Sequence, residues 1–140
     1  MQPIYTAEAL ATGAGRDGHV RTTDDLLDFN LAIPQEMGGP GGAPNPELLF
    51  AAGYAACFHS ALQLVARNEK ADLGESAVGS RVSIGKLDNG GFGLAVDLEV
   101  VIPNQSPERG QELADKAHQV CPYSNATRGN ITVNVSVVSE

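Results

Sequence analysis

Two cysteines, Cys57 and Cys121, are the residues of this chain best suited to chemistry. A cysteine attacks only as its thiolate, and an unperturbed thiol is ionised to a few per cent at neutral pH, so a reactive one needs an activating neighbour. Two histidines lie close in sequence, His59 and His118, which raises the question of a metal. On a regular helix, residues two apart point roughly 200° away from one another, so Cys57 and His59 cannot face one ion. His118 and Cys121 do share a face, but two ligands do not close a zinc site, and no metal is expected. The run Gly13-Ala14-Gly15-Arg16-Asp17-Gly18 matches the G-x-G-x-x-G dinucleotide fingerprint. That mechanism needs a helix to open at the last glycine, whereas His19-Val20-Arg21-Thr22-Thr23 reads as strand, so the match is discounted.

Composition narrows the field. The chain has 140 residues, 42% of them hydrophobic, which is one domain's length, 1–140, with enough apolar content for a core. Nine Lys plus Arg against seventeen Asp plus Glu gives a net charge of −8, which argues against nucleic acid or a polybasic membrane surface as partner. Two cysteines are too few for a disulfide framework. The first eight residues show no basic region leading into an apolar stretch, so a reducing cytoplasm is the expected compartment. Leu48 to Ala66 is long enough to suggest a membrane span, but Gly53, His59, Ser60 and Gln63 interrupt it. It reads as a core helix, and no membrane is expected.

The elements that must position the thiols follow from punctuation and period. Residues 4–12 and 19–24 read as strands joined by Gly15-Arg16-Asp17-Gly18, and Asp28 to Ile33 alternates as a third. A Gly/Pro-rich loop, 37–46, delivers the chain to a helix capped by Asn45, begun at Pro46 and ending near Asn68. Strands at 77–87 and 92–102 flank Asp88-Asn89-Gly90-Gly91, with Leu94, Val96, Leu98, Val100 and Ile102 on one face. Ser106-Pro107 opens a second helix with an apolar stripe of Leu113, Ala117 and Val120 or Cys121, which Pro122 ends or kinks. Ile131, Val133, Val135 and Val137 form a closing strand. The order βββ-α-ββ-α-β predicts an α+β fold, antiparallel sheets packed around a long buried central helix and a second helix.

Helix position separates the thiols. Cys57 falls mid-helix, where the helix N-terminus helps little, so a side chain, best an arginine, must activate it. Cys121 falls at a helix C-terminal end, the negative pole, and is expected to be the less acidic thiol. This asymmetry assigns attack to Cys57 and resolution to Cys121. Residue statistics alone favour an inert buried thiol.

The words around the cysteines change that balance. Asn45-Pro46-Glu47-Leu48-Leu49-Phe50-Ala51-Ala52-Gly53-Tyr54-Ala55-Ala56-Cys57-Phe58 and Cys121-Pro122-Tyr123-Ser124-Asn125-Ala126-Thr127-Arg128-Gly129-Asn130 closely resemble the organic hydroperoxide resistance (Ohr) branch of the OsmC/Ohr family. Tyr5-Thr6-Ala7 and the Gly15–Gly18 turn match too, so the resemblance covers essentially the whole chain. It implies a thiol-dependent peroxidase acting on organic hydroperoxides, including fatty-acid ones. Cys57 would be the peroxidatic cysteine, Cys121 the resolving one, Arg16 the activating arginine and Glu47 the carboxylate that holds it. The resemblance also implies an intertwined homodimer, no bound cofactor, and an external dithiol reductant of the lipoyl type. Leu49 and Ala14 depart from the family wording near these motifs without touching a proposed catalytic residue.

Bulky apolar peroxides need an apolar mouth, for which Met37, Phe50, Tyr54, Phe58 and Phe92 are candidates alongside a core-packing role. Glu47 and Cys57 are ten residues apart, roughly 15 Å along a continuous helix. That separation suggests that Arg16 and Glu47 serve the Cys57 of the other subunit, unless the helix begins later and Glu47 folds back in a loop. Two other classes share these residues: a redox sensor whose Cys57–Cys121 couple signals without turnover, and a binding or structural protein with inert thiols.

Overall fold

The structure is a computed structural model that describes residues 1–139. Its contacts divide the chain into two compact units, residues 1–49 and residue 50 onward.

The first unit is a three-stranded antiparallel sheet of β1 (Ala9–Thr12), β2 (His19–Thr22) and β3 (Asp28–Asn30), in that order. The strands are shorter than the 4–12, 19–24 and 28–33 expected. Thr22 ends β2 by turning the chain: its hydroxyl donates to Asp24 and accepts from the Leu27 N–H, with Asp25 in the left-handed region at φ 62°. The register pairs Ala9 with Thr22, so residues before Ala9 have no strand opposite them. A 3-10 turn at Gly15–Asp17 joins β1 to β2, and its Asp17 carboxylate accepts the Ile33 N–H at 3.0 Å. Among the described residues of this unit only Ala32 and Asn45 are buried, while Ile4, Leu10, Leu26 and Leu27 are exposed.

Helix α1 runs Pro46–Glu69 and opens as expected, with Asn45 Oδ1 accepting the Leu48 N–H at 2.9 Å. Glu47 is therefore helical from the outset, not part of a loop. By length and composition α1 could cross a membrane. In its second-unit portion, however, Tyr54, Phe58, Ala61, Leu62, Val65 and Ala66 are buried in the core. Only that side is covered. Ala52, Ala56, Ser60 and Leu64, spaced at four, form an exposed stripe.

The second unit adds β4 (Ala77–Lys86), β5 (Phe92–Val101), α2 (Pro107–Val120), α3 (Pro122–Thr127) and β6 (Val133–Val137). β4 and β5 form the expected hairpin, and Val96, Leu98 and Val100 of β5 are buried. β6 departs from the antiparallel expectation: it lies parallel to β5, Val96 opposite Val133 through Val100 opposite Val137. The physical reason is the crossover. A hairpin can only reverse the chain, whereas two helices between β5 and β6 carry it back to start again in the same sense. The α2 stripe is completed by Cys121, fully buried, and not by Val120, which is 47% exposed. Pro122 does end α2, and it also opens α3, a helix the sequence reading lacks.

Candidate functional site

In the first unit, the glycines of the discounted fingerprint build the turn that presents Arg16. Gly13 and Gly15 take φ of +79° and +65°, and a Cβ on Gly18 would lie 2.2 Å from the Thr12 carbonyl oxygen. No phosphate-binding helix follows. The Arg16 guanidinium instead reaches Glu47, thirty-one positions on: Nη1 donates to Oε2 at 2.7 Å and Nη2 to Oε1 at 2.6 Å. This is the two-pronged arrangement in which arginine and carboxylate bind most strongly. The Arg16 hydrogen bonds hold the Glu47 carboxyl below its usual range, and Glu47 raises Arg16 in turn. Glu47 also stands in the first turn of α1, where the helix macrodipole favours a negative charge. The Arg16 side chain remains 34% exposed.

The second unit brings the thiols together. Cys57, on α1, and Cys121, between α2 and α3, lie with their sulfurs 3.6 Å apart, both reduced. A disulfide requires about 2.05 Å, so bridging needs only a local shift of the two side chains and their backbone. Cys121 is fully buried and Cys57 partly exposed, so a small oxidant meets Cys57 first.

That contrast replaces the helix-pole argument, because Cys121 ends α2 and also begins α3, placing both a negative and a positive pole beside it. Burial pushes the Cys57 thiol above its ordinary value. The Tyr123 backbone N–H pulls it down, and the nearby Cys121 adds to the rise. Burial thus works against the Cys57 thiolate, which a nearby positive charge would favour.

The proposed mouth residues separate. Phe50 and Phe92 line an apolar groove of about 1080 Å³ with Ile84, Leu87, Leu94 and Tyr123. Pro122 and Tyr123, the two residues after Cys121, form part of its wall. Tyr54 and Phe58 are fully buried core residues. Met37, in the first unit, closes a 3-10 turn at Gln35–Met37 and is 41% exposed. Phe50, Tyr54 and Tyr123 form an edge-on aromatic cluster with ring centres 5.5–6.1 Å apart. Gly53 makes room for it: a Cβ there would sit 2.6 Å from the Tyr123 hydroxyl.

Among the described residues, no three His, Cys, Asp or Glu side chains converge as for a metal. His59 bonds Ser76 at 2.9 Å, and His118 bonds Ser124 at 2.7 Å. Sequence reasoning missed Tyr123 beside Cys57 and the Ser124 and Thr127 hydroxyls of α3, and weighed His118 beside Cys121 only as a metal ligand. Their signal was present in Pro122, which is favoured at the first position of a helix as much as after the end of one.

A family model described as OsmC-like protein matches residues 39–136. The organic hydroperoxide resistance protein of Xanthomonas axonopodis pv. citri is 52% identical over 136 residues, covering 96% of this chain and 94% of that one. Organic hydroperoxide resistance protein OhrB of Bacillus subtilis is 42% identical over 135 residues, covering 96% and 98%. The crystal structure of an organic hydroperoxide resistance protein from Elizabethkingia anophelis superposes with a TM-score of 0.94 at 51% identity, covering all of both chains. With the folds matched over their full length, the chain belongs to the OsmC-like family, among its organic hydroperoxide resistance proteins.

Proposed function

We propose that this protein is a cytoplasmic, thiol-dependent peroxidase that reduces organic hydroperoxides, fatty-acid hydroperoxides included, to alcohols. The observation that carries the proposal is the pair of reduced sulfurs 3.6 Å apart, one partly exposed and one buried. The Cys57 thiolate attacks one oxygen of R–O–O–H. The O–O bond breaks, the alkoxide takes a proton and leaves as alcohol, and Cys57 becomes a sulfenic acid. The Cys121 thiol condenses with it, forming the disulfide and releasing water, which prevents further oxidation of Cys57. An external dithiol, of the lipoyl type by family resemblance, then exchanges with the disulfide. It restores both thiols and is itself oxidised to a cyclic disulfide.

Arg16 supplies the missing positive charge in this scheme. Its guanidinium, fixed by Glu47, lowers the Cys57 pKa and stabilises the departing alkoxide. The apolar groove beside Pro122 and Tyr123 accommodates the organic part of the peroxide.

The working species is a homodimer with composite sites, Arg16 and Glu47 of one subunit serving Cys57 of the other. Three observations support this arrangement. The first unit exposes apolar side chains that a three-stranded sheet must cover to be stable, and α1 exposes its small-residue stripe. α1 also begins at Pro46, which removes the alternative of a Glu47 loop folding back.

The test is peroxide consumption driven by a dithiol. Cys57→Ser must abolish turnover, and Cys121→Ser must retain one stoichiometric reaction while losing sustained cycling. Undiminished activity in Cys57→Ser contradicts the proposal. Disulfide formation without sustained turnover in the wild type identifies a sensor instead.

A further inference from the structure

Cys121 occupies an unusual corner. Its N–H donates to the Ala117 carbonyl and closes α2, and its carbonyl accepts the Asn125 N–H and opens α3, both at 2.9 Å. The direction of the side chain therefore depends on the angle between these two helices. A buried hydrogen-bond relay fixes that angle. His118, in the last turn of α2, meets Ser124 of α3 at 2.7 Å, directly across the corner. Tyr54 of α1, one turn before Cys57, meets the same Ser124 at 2.8 Å and Thr127 at 3.1 Å. Arg128, just beyond α3, donates to the His118 carbonyl at 2.5 Å. Tyr54 and Ser124 are fully buried, and Thr127 is nearly so.

Proton counting gives the relay a direction. Each hydroxyl has one proton to donate. Thr127 donates its own to the Tyr123 carbonyl at 3.0 Å. Tyr54 must then donate to Thr127, Ser124 to Tyr54, and the His118 Nδ1–H to Ser124. A neutral ring with its proton on Nδ1 meets this need, in agreement with burial and the Arg128 charge holding His118 below its ordinary value against the opposing pull of Asp115. Every member is satisfied, and such fully bonded buried networks are stiff.

We propose that Tyr54, Ser124 and His118 are positioning residues for the resolving step: they hold the α2–α3 corner so that Cys121 meets oxidised Cys57 faster than a second peroxide does. The inference rests on the peroxidase reading above and adds to it the residues that set its second half-reaction. Cys57 stands on α1 and meets the corner through the Tyr123 N–H, whereas Cys121 is carried by the corner itself, so the relay weighs more on disulfide closure than on the first attack.

The experiment mixes reduced protein with one equivalent of organic hydroperoxide. It follows Cys57 thiol loss, sulfenic acid trapped by a dimedone-type probe, and disulfide closure by alkylation mass shift. In Ser124→Ala, closure slows by about tenfold, as loss of one or two buried hydrogen bonds would give, Cys57 thiol loss slows by much less, and trapped sulfenic acid rises. His118→Leu behaves alike, whereas His118→Asn, whose side-chain amide donates near the position of Nδ1, restores closure. A purely structural role predicts equal damage in His118→Leu and His118→Asn, or equal slowing of both steps, and either result overturns the proposal. So does closure at the wild-type rate in Ser124→Ala. If wild-type Cys57 is not consumed by the peroxide at all, the peroxidase reading falls, and this inference with it.

Discussion

The two units of this chain divide the proposed chemistry between opposite physical settings. Residues 1–49 hold an arginine and a carboxylate in a fixed fork but bury almost nothing of their own. The region from residue 50 onward holds two thiols against a closed core of Phe58, Leu62, Leu98, Leu113 and Ala117, in which burial raises the Cys57 pKa. One region has a charged fork without a core, and the other a core that holds two thiols. A low-dielectric setting disfavours the thiolate, and in the function proposed above the Arg16 guanidinium offsets that cost at Cys57.

Removing the charge should produce the largest effect. Arg16→Ala is expected to lower the rate of Cys57 oxidation by about 10²–10³-fold, the usual cost of deleting a group that stabilises developing negative charge. Stopped-flow oxidation by an organic hydroperoxide measures it, and a loss below tenfold would break the division of labour. Core truncation should separate the regions next. Phe58→Ala is expected to cost about 3–5 kcal/mol in chemical denaturation, as for other buried aromatics. Leu10→Ala, in the sheet without a core, should instead make the unfolding midpoint more dependent on protein concentration, because the proposed dimer is what covers its surface.

The smallest effect concerns pH. Arg16 holds the Glu47 carboxyl below its usual range, so its contribution to stability is complete above the ordinary carboxylate pKa. It is lost as pH falls through the lower, folded value. The stability gap between wild type and Glu47→Gln should be constant near neutrality and shrink below about pH 4. A gap that persists unchanged in acid would show that the fork is not what stabilises the turn.

The sequence was most informative where punctuation and period agree. Asn45-Pro46, Asp88-Asn89-Gly90-Gly91 and Ser106-Pro107 placed α1, the β4–β5 hairpin and α2 within a residue or two of their observed limits. Helix α3 escaped because six residues carry no apolar period and Pro122 was read only as a stop. The parallel sense of β6 escaped because alternation marks a strand's faces and not its direction. In the site, helix position and chemistry could rank the two cysteines, but nothing local links Arg16 to a glutamate thirty-one residues away. That pair came from family resemblance, and the fork then gave it a geometry. Phe50 and Phe92 could not be told from Tyr54 and Phe58 beforehand, because an apolar ring suits a groove wall and a core equally.

The central claim is that charge from the first region of one subunit activates the thiol in the second region of its partner. A heterodimer isolated by two different tags, one chain carrying Arg16→Ala and the other Cys57→Ser, tests it directly. Shared sites leave one intact pair of Arg16 and Cys57 per dimer, and the account predicts about half of wild-type peroxidase activity. Activity no higher than that of the two parent homodimers would contradict it, because each subunit would then have to supply its own arginine.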